Sequence, residues 1–164
     1  MSLELIINSN IKTLEKAYCI LNKLSNDLLS DSTTAPYYSS IGSHLRHILD
    51  FYSCIFNKTI DNKIDLTSKC RNKTVENSCE AAENYLINTI DKLKKMKETL
   101  NKNIVVINDL GLGIIEIPCT IESVLAQANS HTIHHYAIIN YILNNLKITI
   151  EIPDLGFNPT TTMK

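Results

Sequence analysis

The chain has 164 residues, 44% of them hydrophobic and 20% charged, which suits a single folded domain with a sizeable core and argues against wholesale disorder. Its 16 Lys and Arg stand against 17 Asp and Glu for a formal net charge of −1, which excludes the generalised basic surface that phosphate-backbone binding needs. No apolar run approaches the ~20 residues of a membrane span, and Met1-Ser2-Leu3-Glu4 lacks the basic region and cleavage site of a secretory leader. A cytoplasmic protein with neither nucleic-acid nor membrane partners is therefore expected.

In chain order, the first segment carries Leu3, Ile7, Ile11, Leu14, Tyr18, Leu21 and Leu28 at spacings near three and four, the mark of an amphipathic helix. A Ser/Thr-rich stretch from Ser30 to Ser40, with Pro36 inside it, separates this helix from a second, which runs from about Ile41 to Ile55 through Leu45, Ile48, Phe51 and Tyr52. A third helix is expected along Ala82, Leu86, Ile90, Leu93, Met96 and Leu100, with Lys92, Lys94, Lys95 and Glu98 on its solvated face. Two β-branched runs, Ile104-Val105-Val106-Ile107 and Ile114-Ile115-Glu116-Ile117, flank an Asn/Asp/Gly turn and predict a short hairpin over about 104–117. The last helix runs from about Ile121 to Leu146, with Thr120 as its N-cap and Glu122 suited to the helix dipole. Residues from about 147 to 164 form an irregular tail. The expected fold is all-α: an antiparallel four-helix bundle in one domain spanning 1–164, with the hairpin inserted before the last long helix.

Five cysteines, Cys19, Cys54, Cys70, Cys79 and Cys119, include no Cys-x-x-Cys pair. Free thiols are the simplest reading, and neither a disulfide framework nor a zinc knuckle is indicated.

The histidines are more informative. His131 and His135 are at i and i+4 and so share one face of the last helix, on a seam that reads Val124, Ala128, His131, His135, Ile138, Ile142. Two imidazoles facing a core need partners, because a buried unpaired polar group costs about 1–3 kcal/mol. A divalent metal would take both lone pairs, and a hydrogen-bonded core would satisfy the rings without one. The second helix offers His44 and His47. At 100° per residue His44 lies about 45° and His47 about 105° from the centre of the apolar arc, so periodicity favours His44 as the inward ring. A third imidazole beside His131 and His135 would make a three-His site with an open position, the mark of a catalytic zinc site. His134 falls off the seam. Other chemistries lack their signatures: there is no Glu-x-x-His pair, no His-Glu-x-x-His and no glycine-rich nucleotide loop. Ser43 and Ser130 adjoin histidines only in sequence, which is not triad geometry.

Ile41-Gly42-Ser43-His44-Leu45-Arg46-His47-Ile48-Leu49-Asp50 and Ser130-His131-Thr132-Ile133-His134-His135 together resemble the DinB/YfiT-like superfamily of metal-binding helical bundles. The tail from Pro153 to Thr161 is similar to the Phe-Gly-x-x-Pro-Ser-Thr ending of one bacterial branch, except that Gly156 precedes Phe157 and Thr160 replaces Ser. The resemblance implies a divalent metal, nickel or zinc, held by His131, His135 and one histidine of the second helix. The family's Leu/Ile-x-Asp continuation falls on Ile48-Leu49-Asp50, which assigns that role to His47, with His44 as substitute or as a further group near the open position. The family's Arg-Gly-Gln after the final His is replaced by Tyr136-Ala137-Ile138.

Members with known chemistry are mostly transferases or isomerases that use a low-molecular-weight thiol. The resemblance thus implies a metal-dependent thiol transferase or detoxification enzyme acting on a small-molecule electrophile, and a homodimer. Asp50 and Glu122 are candidates for a general base by nearness in sequence alone. The alternatives are a metal-binding or sensing bundle without turnover, and a metal-free structural dimer.

Overall fold

Apolar residues at three- and four-residue spacing place four long helices, which the computed structural model, describing residues 2–96 and 103–161, contains. They are α1 (Ser2–Leu21), α3 (Ile41–Phe56), α5 (Cys79–Lys94) and α6 (Ile121–Asn145). Between them lie two five-residue helices, α2 (Asn26–Ser30) and α4 (Lys73–Asn77), and three strands, β1 (Lys63–Asp65), β2 (Asn103–Asp109) and β3 (Ile114–Thr120). Leu100 and Glu98, expected in the third helix, and residues 162–164 of the tail lie outside the described residues.

The expectation of an all-α four-helix bundle with only a hairpin is corrected. Among the described residues, six helices that hold 56% of them accompany a three-stranded mixed sheet of order β1-β2-β3, so the fold is α/β. The strand that changes the class is β1, which pairs parallel to β2 with Ile64 opposite Val106. Its three residues are too few to show alternation, and Lys63 and Asp65 flank the single buried Ile64. Parallel strands need a long crossover between them, and here α4 and α5 form it.

The hairpin is longer than expected, pairing Asn103 with Thr120 at its base and Asp109 with Ile114 at its tip. Gly111 and Gly113 take φ of +96° and +124° in the turn, a region open to glycine, and both donate their N–H to Asp109 Oδ1. Pro118 is tolerated inside β3 because β3 is an edge strand.

Capping fixes where the site-bearing helices begin. The Ser40 hydroxyl accepts the Ser43 N–H at the start of α3, and Thr120 and Ser123 form a reciprocal capping box at the start of α6. Gly42 lies so close to α4 that a Cβ there would come within 2.1 Å of the Glu76 carbonyl oxygen, so only glycine allows this approach. Both α1 and α3 pack against α5 and α6, around a core that includes Leu14, Ile48, Leu86, Leu125 and Tyr136. Inside it, the Tyr52 hydroxyl donates to Asn10 Oδ1 at 2.6 Å and lies 3.3 Å from Thr132 Oγ1, tying α1, α3 and α6 together. Among the described residues no helix is long and apolar enough to cross a membrane.

Candidate metal centre

The packing of α3 against α6 brings together histidines that the chain keeps more than eighty residues apart. His47 comes from the second turn of α3, and His131 and His135 from successive turns of α6. Their ring centroids lie 4.9 Å (His47–His131), 4.8 Å (His47–His135) and 4.5 Å (His131–His135) apart. One nitrogen from each of the three falls within 4.8 Å of the others, a cluster that could hold a metal ion. The fully buried stripe of α6 runs through Leu125, Ala128, Thr132, Tyr136 and Ile139, so the histidines border that stripe and are half-buried. Phe51, one turn beyond His47, packs its ring 5.0 Å from that of His131.

Burial sets the charge state of the cluster. Desolvation pushes the pKa of His47 and His131 down to about 4, with the Lys69 ammonium adding to the effect on both. His135 is pushed down to about 2, first by desolvation and then by its four neighbouring histidines. All three rings are therefore neutral at pH 7, and a neutral imidazole keeps one nitrogen lone pair for a ligand. One nitrogen marks the place where that lone pair is unused: His131 Nε2 is buried and has no hydrogen-bond partner.

No protein-family model and no curated protein matches the chain. The chemistry of the donor set therefore decides what the cluster suits. Three neutral imidazoles fit zinc, nickel, copper and iron alike, and a three-ligand set leaves coordination positions for another molecule. The buried, unpartnered His131 Nε2 is the kind of group such an ion satisfies.

His44 stands beside the three-His cluster and touches one of its members. Its Nδ1 lies 2.9 Å from His135 Nδ1, and its Nε2 lies 2.8 Å from the Ser39 hydroxyl. His44 and His47 are both half-buried, so the arc that sets one inward and the other outward does not separate them. His134 is exposed, its ring 5.2 Å from that of His135. The Ser43 hydroxyl donates to the Ser40 carbonyl at 2.7 Å and belongs to the helix cap.

Neither carboxylate named as a base candidate is placed to serve. Asp50 is buried, with Arg46, the Tyr85 hydroxyl and the Arg71 N–H all donating to its oxygens. Glu122 lies nine residues before His131, about 13 Å along the helix axis. Sequence reasoning missed Ser39 and Lys69. The position of Ser39, just ahead of the α3 N-cap and within reach of the first turn, was the available signal; for Lys69, in the loop after β1, there was none.

Proposed function

We propose that His47, His131 and His135 hold a divalent metal, zinc or nickel, and that the site serves a thiol-dependent transferase or detoxification reaction on a small electrophile. The observation that carries the reading is the convergence of three neutral, half-buried imidazoles, one with a buried nitrogen that nothing in the protein satisfies. The likeness of residues 41–50 and 130–135 to DinB/YfiT-like proteins supports it. A divalent metal held by three histidines supplies a Lewis-acid position that lowers the pKa of a thiol and so provides thiolate at neutral pH.

The chain's own residues supply the surroundings. Phe51 walls one side of His131 with an apolar ring. The half-buried Lys69, close enough to depress both His47 and His131, favours an anionic group at the site. With Asp50 engaged by Arg46, Tyr85 and the Arg71 N–H, the thiol proton is expected to leave to solvent.

The test has two stages. Metal per chain is measured on untagged protein after incubation with Zn²⁺ or Ni²⁺, where one equivalent is expected in the wild type and none in His47→Ala or His135→Ala. Loss of a low-molecular-weight thiol is then followed with and without an electrophile such as a chlorodinitrobenzene. Electrophile-dependent loss in the loaded wild type, absent in His135→Ala, is the expected result. A loaded protein that consumes no thiol would be a metal-binding protein without this turnover, and a wild type that takes up no metal would end the proposal.

A further inference from the structure

Two contacts beside the three-His set, Ser39 Oγ to His44 Nε2 at 2.8 Å and His44 Nδ1 to His135 Nδ1 at 2.9 Å, form a chain that ends on the cluster. A contact between two imidazole nitrogens is a hydrogen bond only when one carries a proton and the other a lone pair, so each of two neutral rings has its tautomer set by the other. If His44 donates, His135 Nδ1 accepts, the remaining proton of neutral His135 sits on Nε2, and neither nitrogen of that ring is left for a metal. If His135 donates from Nδ1, its Nε2 keeps a free lone pair. His44 Nδ1 is then the acceptor, the proton of neutral His44 sits on Nε2, and the Ser39 oxygen accepts it. Only this second arrangement is compatible with His135 as a ligand.

We infer that His44 is a positioning residue: it accepts the His135 Nδ1 proton, leaves His135 Nε2 as the ligating atom, and is held by Ser39. The inference rests on the metal reading of the His47, His131 and His135 cluster but not on thiol turnover. It gives His44 a part separate from the three-His set. Ring partners of this kind orient a ligand and raise its basicity, and their removal lowers metal affinity by about 10–100-fold.

The structure gives Ser39 its place by local means. It immediately precedes the α3 N-cap Ser40, whose hydroxyl is turned to the Ser43 N–H, so the Ser39 hydroxyl is left to meet the ring of His44. Both contacts lie at the opening turn of α3, where the Gly42 approach to Glu76 fixes the backbone.

Zn²⁺ affinity is measured by chelator competition on wild type, His44→Phe, His44→Asn and Ser39→Ala, with circular dichroism confirming the fold of each. His44→Phe is expected to bind one Zn²⁺ about 10–100-fold more weakly. His44→Asn, whose amide oxygen can accept where Nδ1 did, is expected to recover most of the loss, and Ser39→Ala to lose less than about tenfold. In the Zn²⁺-loaded wild type, ¹⁵N NMR should find the His135 proton on Nδ1 with a coupling across to His44 Nδ1.

Unchanged affinity in His44→Phe, or a His135 proton on Nε2 in the loaded protein, overturns the inference. So does a Co²⁺ spectrum in which His44→Phe loses a nitrogen ligand, since His44 would then ligate directly. A wild type that binds no Zn²⁺ ends both the inference and the metal reading. Full Zn²⁺ binding with the predicted pattern but no thiol consumption ends the transferase reading alone.

Discussion

Arg46 and His47 are neighbours on α3, yet they enter polar clusters of opposite character. Arg46 donates from Nε to Glu76 Oε1 at 2.6 Å and from Nη1 to Asp50, while Lys73 reaches Glu76 Oε2 at 3.0 Å and the Tyr85 hydroxyl reaches Asp50 Oδ1 at 3.1 Å. Two cations meet two carboxylates, the Asp50 side chain is fully enclosed, and its oxygens are taken up by partners on three sides. The His47 cluster gathers a comparable number of polar groups and leaves the His131 Nε2 without a partner. A closed network holds elements in register. A cluster that keeps its lone pairs open is suited to bind something.

The contrast can be broken by mutation. Asp50→Ala leaves the Arg46 guanidinium, 13% exposed, without one of its two carboxylates. Breaking a buried pair in this way costs about 3–5 kcal/mol, and a urea-unfolding midpoint that did not fall would show the network to be dispensable. His131→Leu should act in the other direction on the metal-free protein. It removes a buried unpartnered nitrogen, a liability of about 1–3 kcal/mol, so stability should hold or rise by about 1 kcal/mol. A loss as large as that of Asp50→Ala would show that the histidines are core after all.

The same burial should also show in the pH dependence of stability. Unfolded histidines take up protons near pH 6.5, whereas burial holds His47 and His131 down to about 4 and His135 down to about 2. Below 6.5 the unfolded chain binds more protons than the folded one, so stability must decline with falling pH. In metal-free protein the stability present above pH 6.5 is expected to start falling below that pH and to go on falling through pH 4 toward pH 2, read as a falling Tm. His131→Leu should show a shallower decline, and a flat Tm between pH 7 and 4 would contradict the burial argument.

Much of the cluster was visible in the sequence, because His131 and His135 at i and i+4 share a helix face whatever that helix packs against. The choice on α3 was harder. His44 and His47 both reach the cluster from one face, and a wheel that ranks them by angle cannot say which ring joins the three-His set and which hydrogen-bonds to a member of it. The long helices were legible through their apolar spacing. Strand β1 was not, since a single buried Ile64 between Lys63 and Asp65 has no period, and its partner Val106 arrives only after α4 and α5. Helices α2 and α4, with five residues each, are likewise shorter than any stripe that periodicity can detect. Asp50 looked like a base because it sits three residues from His47. Its real partners, the Glu76-bound Arg46, Tyr85 and the Arg71 N–H, meet it only in the folded chain.

Strand β3 passes into α6 with no linker between them, Thr120 serving as both the last strand residue and the helix cap. The sheet thus sets the rotational phase of α6, much as a keyed shaft sets a cam. Each residue added at that junction would turn the whole of α6 by about 100°, swinging His131 and His135 off the face that meets α3 or tearing β3 out of register with β2. Side chains between Thr120 and His131 can vary within their packing, but the number of residues there is fixed by the histidines at its far end.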